Sequence, residues 1–139
     1  MREAFSRSLE SLEQIFGFTE RFFAGRDIEE RHRYAVNLVI EELFSNMVKY
    51  NASGAGNIEV EMRHQDGGVQ VRLSDRESVP FDVTAPRAVD PEAPLERRRS
   101  GGLGLFLVQK FVDSLDYAYR DGTSTITFTR NLDKDDVRD

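Results

Sequence analysis

Residues 57–73 read NIEVEMRHQDGGVQVRL, and the fold follows from this stretch. Ile58, Val60 and Met62 alternate with Glu59, Glu61 and Arg63; past Asp66, Gly67 and Gly68 the alternation resumes with Val69, Val71 and Leu73. A period of two puts the apolar residues of each run on one face of a strand, and the Asp-Gly pair supplies a tight reversal. The stretch therefore predicts a hairpin with one apolar face that must be covered. Working outward toward the C-terminus, Leu115, Tyr117 and Tyr119 precede an Asp121-Gly122 turn. Ile126 and Phe128 then alternate with threonines, which predicts a second hairpin.

The cover lies on either side. Leu9, Leu12, Ile15, Phe16, Phe22 and Phe23 recur at steps of three and four, the spacing of an amphipathic helix that Gly25 ends. Asp27 followed by Glu30 has the form of an N-cap with its capping-box partner, so a second helix is expected from about Ile28 to Tyr50, broken by residues 51–56. A third is expected from about Gly104 to Ser114, carrying Leu105, Val108, Phe111 and Val112. Two one-faced hairpins and three amphipathic helices bury their apolar faces most economically as an α/β two-layer sandwich. Helices pack on one face of a mostly antiparallel or mixed sheet, whose other face meets water.

The chain has 139 residues, which predicts a single domain over 1–139. It has no cysteine, which excludes disulfides and thiolate chemistry and suits a reducing, cytoplasmic setting. Nineteen basic and 25 acidic residues give a net charge of −6, against a general grip on nucleic acid or an anionic membrane. No run approaches the ~20 apolar residues of a membrane span. His32 and His64 lack zinc-site spacing. Residues 77–103 hold all four prolines and little periodicity, so they read as a long loop of the functional kind. The charged end, 133–139, reads as a frayed tail.

Two motifs carry candidate chemistry. In E41-E-L-F-S-N-M-V-K-Y50 the helical repeat sets Val36, Val39, Ile40, Leu43 and Met47 on one stripe. Glu42 and Asn46 fall at its border, one turn apart, while Glu41 points almost opposite. A half-buried carboxylate and carboxamide need partners. Those partners are either neighbouring backbone, in an ordinary helix-edge pair, or a ligand. In R97-R-R-S-G-G-L-G-L-F-L-V108 the glycines let backbone approach a ligand closely, the free amides of a helix start attract phosphate, and three arginines stand beside them. A plain surface loop is the alternative. Lys49 lies one turn beyond Asn46, either reaching a phosphate or solvated. Phe22, Phe23 and Phe106 belong to the core or to a partner surface.

In this order and at this separation, E42-L-F-S-N46 and S100-G-G-L-G-L-F-L-V108 resemble the N box and the second glycine box of the GHKL, or Bergerat-fold, ATPase domains. Within them the chain is similar to the small anti-sigma-factor serine kinases of bacterial partner switching. The resemblance covers roughly Ser6 to Leu132. It implies ATP and magnesium as cofactors, with Glu42 as the group that polarises the attacking hydroxyl and Asn46 as the magnesium ligand. It implies Asp75 as the acceptor for the adenine amino group, supported by Thr123. Gly101, Gly102, Leu103 and Gly104 become the phosphate cradle, with Arg99 and Lys49 beside it, and residues 77–103 the ATP lid. Glu77 stands where the family carries the first-box glycine, adding bulk and negative charge near the nucleotide.

The expected function is a Mg-ATP-dependent protein serine kinase. It phosphorylates a small anti-sigma-factor antagonist and sequesters a sigma factor or similar regulator; a homodimer is what the resemblance implies. Glu77 motivates the alternative, a non-catalytic binding module on the same fold. A sensor histidine kinase domain is the third reading, set against a length with no room for a dimerising helix pair.

Overall fold

The computed structural model describes residues 1–50, 56–76 and 104–133. Five strands, β1 (Arg2–Ser6), β2 (Asn57–Gln65), β3 (Gly68–Asp75), β4 (Ser114–Arg120) and β5 (Thr123–Asn131), form one sheet in the order β1-β2-β3-β5-β4. Every pairing in it is antiparallel. Helices α1 (Leu12–Phe23), α2 (Glu30–Tyr50) and α3 (Gly104–Phe111), with a 3-10 turn at Leu9–Ser11, complete the described elements. The expected α/β sandwich is present, with a wholly antiparallel sheet.

Both hairpins form at the expected residues. Asp66 (φ 53°) and Gly67 (φ 73°) join β2 to β3; Asp121 (φ 53°) and Gly122 (φ 80°) join β4 to β5. Two consecutive positive φ angles define the turn whose twist matches a hairpin, and Asp-Gly accepts that geometry at little cost. One face of the sheet presents Ile58, Val60, Met62, Val69, Val71, Leu73, Ile126 and Phe128 to the core. Ile15, Phe18 and Phe22 from α1 and Val36, Val39, Ile40, Leu43 and Phe44 from α2 cover them. Glu59, Glu61, Gln70 and Arg72 take the opposite face, as the alternation requires.

Four expectations are corrected. β1 has no counterpart in the sequence reading: of its five residues only Phe5 is buried, packed edge-on against Phe18 at 5.7 Å. An edge strand with one inward side chain leaves no periodic signal. Second, α2 starts at Glu30, and the Glu29 carbonyl accepts from the amides of His32 and Arg33. Asp27 therefore stands two residues ahead of the cap position. Third, α3 ends at Phe111, so Val112 lies beyond it and Ser114 opens β4. Fourth, the first helix begins as a 3-10 turn, Leu9–Ser11, that leaves Leu9 exposed. The core instead uses Phe18, one turn before Phe22.

A buried polar tie holds the far end of the sandwich together. Arg130 on β5 donates from Nε to His32 Nδ1 on α2 (2.9 Å) and from Nη1 to the Phe111 carbonyl at the end of α3 (2.8 Å). One guanidinium thus links the sheet to α2 and to the end of α3. No described helix is long and apolar enough to cross a membrane.

Candidate functional site

The α2 stripe orders its polar residues as the helical repeat demands. Glu41 is exposed, Glu42 half-buried and Asn46 only 4% exposed. Asn46 Nδ2 donates to the Glu42 carbonyl one turn back, at 2.7 Å. That bond fixes the amide and leaves Asn46 Oδ1 buried with no hydrogen-bond partner among the described residues. An orphaned buried carbonyl oxygen costs about 1–3 kcal/mol. Its chemistry suits a hard cation, because magnesium takes only one or two oxygens from protein and draws the rest from water and phosphate. Among the described residues no group of three His, Asp or Glu forms an all-protein metal cage.

Glu42 faces the start of α3. A Cβ built on Gly104 would lie 2.2 Å from Glu42 Oε2 and 3.1 Å from its Cδ, so the carboxylate occupies the space a side chain would take. Gly104 thus leaves the carboxylate its room here, rather than serving a special φ. Burial pushes the Glu42 carboxyl above its ordinary value, and the neighbouring Glu41 charge adds to the rise. A raised carboxyl pressed against a helix start can accept a proton from a hydroxyl nearby, which is the chemistry of a general base.

The structure brings together Glu42, Asn46 and Gly104. Asp75 belongs to a second cluster at the end of β3. It is 2% exposed, and Arg7 Nη2, from the connection between β1 and α1, donates to its Oδ1. Across the ladder Asp75 is paired with Ser124 rather than Thr123. Ser124 is buried on the same sheet face as Asp75, whereas Thr123 precedes it on the other face and is paired with Arg120. Lys49 is exposed in the last turn of α2. Arg99, Gly101, Gly102 and Leu103, with Glu77 and the loop 77–103, lie outside the described residues.

Neither Arg7 nor Ser124 belongs to a motif in the sequence. Arg7 sits in a segment without periodicity, and no sequence signal points it at Asp75. Ser124 was legible from alternation, since counting back from Phe128 and Ile126 sets it inward. Of the phenylalanines held open for a partner surface, Phe22 and Phe23 are core, while Phe106 is 55% exposed with Lys110 Nζ 5.0 Å over its ring. A shallow cleft lined by Asp66, Gln70, Asp113 and Asn131 contains none of the candidate residues.

An antiparallel sheet covered by helices thus carries a Glu pressed against the glycine that opens a further helix, with an Asn one turn beyond that Glu. The chain belongs to the histidine kinase-like ATPase domain family, whose pattern matches residues 5–130. It is similar to the serine-protein kinase RsbW of Listeria innocua, 31% identical over 99 residues, covering 66% of this chain and 61% of the relative. The chain thus spans about three fifths of that relative's length. Its fold is similar to that of the RsbU and RsbW domains of a Mycobacterium tuberculosis protein. The TM-score is 0.67 at 15% identity, covering 95% of this chain and 32% of the other. A structure of the SiaB-SiaC complex from Pseudomonas aeruginosa contains a similar fold, with TM-score 0.59 at 18% identity, 94% of this chain and 88% of that one.

Proposed function

We propose that this protein is a Mg-ATP-dependent serine kinase of the partner-switching type. It phosphorylates a serine on a small antagonist protein and sequesters a sigma factor or similar regulator, acting in the cytoplasm as one ATP-binding domain that pairs as a homodimer. The observation that carries this reading is the Asn46 oxygen, buried and unsatisfied one turn from a carboxylate that burial has made more basic. Similarity to a serine-protein kinase supports the reaction class.

In this reading Asn46 Oδ1 would hold magnesium, which would supply charge compensation for the phosphates. Glu42 would take the proton from the serine hydroxyl as its oxygen bonds to the γ-phosphorus and the bond to ADP breaks, ADP leaving. Gly104, with Gly101, Gly102 and Leu103, lets backbone amides approach the phosphates, and Arg99 and Lys49 supply positive charge within a net −6 chain. Asp75 accepts from the adenine amino group, with Ser124, and not Thr123, the hydroxyl across from it.

Two features favour the second reading, a non-catalytic binding module. Asp75 is already engaged by Arg7, and Glu77 stands where the resemblance places a glycine. Melting curves separate the two. Saturation at 100 times the dissociation constant stabilises a fold by ~2.7 kcal/mol, which is about 10 °C for a domain of this size. The kinase reading expects that rise with Mg-ATP in wild type and its loss in Asn46→Ala, together with phosphate transfer from ATP to the cognate antagonist. Flat curves for wild type across Mg-ATP and Mg-ADP establish the binding module instead.

A further inference from the structure

The Arg7–Asp75 pair is an unusual way to place a guanidinium. Both side chains are almost wholly buried, 4% and 3% exposed. Among the described residues only Nη2 finds partners: it donates to Asp75 Oδ1 and, at 3.3 Å, to the Arg76 carbonyl. Nε and Nη1 are buried with no hydrogen-bond partner among the described residues. An arginine kept purely as a structural tie gains most from a two-pronged grip on its carboxylate. Here one prong is made while two donors stay unsatisfied, at a desolvation cost that exposure to water would relieve.

The pair also closes the acceptor. Asp75 at 2% exposure presents almost no carboxylate surface to an incoming group, and the N–H on its Oδ1 is of the kind a purine 6-amino group would donate. Resting on the nucleotide-binding reading above, we propose that Arg7 is an affinity- and base-selectivity-determining residue. Its guanidinium stands in for the base amino group on Asp75, and a 6-aminopurine nucleotide binds by displacing it. Displacement exchanges a charge-assisted bond for a neutral one, which weakens binding, and frees the two unsatisfied donors to water, which offsets part of that loss. Arg7 lies between β1 and α1, so base binding is coupled to movement of that connection.

The test is isothermal titration of the full chain with Mg-ATP and with the Mg complex of purine riboside triphosphate, which lacks the 6-amino group. Arg7→Met keeps the stem and removes the donors. It should bind Mg-ATP about tenfold tighter than wild type, the difference between charged and neutral hydrogen bonds, and the deaminated analogue with unchanged affinity. Arg7→Gln, with a neutral amide donor, should move the same way by less, and serves where Arg7→Met fails to fold. Asp75→Ala, which leaves no acceptor for the amino group, should bring ATP affinity down to that of the analogue. A merely structural arginine predicts weaker or equal ATP binding in both Arg7 variants, and that result overturns the inference while leaving the nucleotide reading intact. Equal tightening for both nucleotides overturns it too. Absence of binding in wild type and every variant removes the nucleotide reading and the inference together.

Discussion

Gly104→Ala separates the chemistry of the site from the stability of the fold. A methyl at Gly104 would sit 2.2 Å from Glu42 Oε2, and ordinary contact begins at 3.4 Å, so the carboxylate must retreat by about 1.2 Å. The obstacle is the far end of a flexible side chain, which yields by a rotamer change costing roughly 0.5–1.5 kcal/mol. Alanine's better helix propensity offsets part of that, so the melting temperature should move by only a few degrees. The chemistry is less forgiving, because a reacting group misplaced by about 1 Å loses on the order of 100-fold in rate, or ~2.7 kcal/mol of barrier. The assay is phosphate transfer from ATP to the cognate antagonist, with kcat and KM resolved and folding followed by circular dichroism. Folded Gly104→Ala protein should lose kcat by about two orders of magnitude. Activity within threefold of wild type would refute the idea that Gly104 seats the carboxylate, and a stability loss above ~3 kcal/mol would refute the soft-contact argument.

Other outcomes follow from the same geometry. Gly68→Ala is the counter-case: its Cβ would meet the Arg130 carbonyl at 2.8 Å, a backbone atom in the sheet that cannot step aside, so chemical denaturation should show a loss of about 1–3 kcal/mol. Asn46→Ala removes an unsatisfied buried oxygen and improves helix propensity, so it should melt at or above the wild-type temperature while losing its Mg-ATP-dependent shift. Because the folded-state pKa of Glu42 is raised, the folded protein holds that proton more tightly than the unfolded chain. Stability from this group is therefore full below about pH 4.3 and is lost as pH rises through the folded pKa. Glu42→Gln should accordingly raise the melting temperature at neutral pH, lose that advantage near pH 4, and abolish phosphate transfer. Arg130→Met removes the donor shared by His32 and Phe111 and leaves one buried and one part-buried acceptor without that bond, so it should cost about 1–3 kcal/mol in urea denaturation.

Strand alternation made both hairpins legible, because a side chain on a half-buried sheet has only two directions to point. The apolar stripe of α2 likewise told Glu42 from Glu41 and set Asn46 at the core's edge. Boundaries fared worse: the α2 start and the α3 end depend on which backbone groups meet at a helix terminus, and composition records that poorly. β1 left no trace, since an edge strand is held by pairing to β2 rather than by a pattern of its own. Thr123 and Ser124 show the limit of a motif. The residue type fits either position, and only the register sets Ser124 opposite Asp75.

By itself the sequence determined the one-faced hairpins, the amphipathic helices and the polar pair on α2, because these are properties of neighbours along the chain, fixed by the periods of strand and helix. Only the tertiary structure decided that Glu42 lies against Gly104, 62 residues away, and that Arg7 reaches Asp75 across 68. Those contacts depend on how separate elements pack, where close-packing leaves a gap one glycine wide and desolvation forces a buried charge to find its opposite.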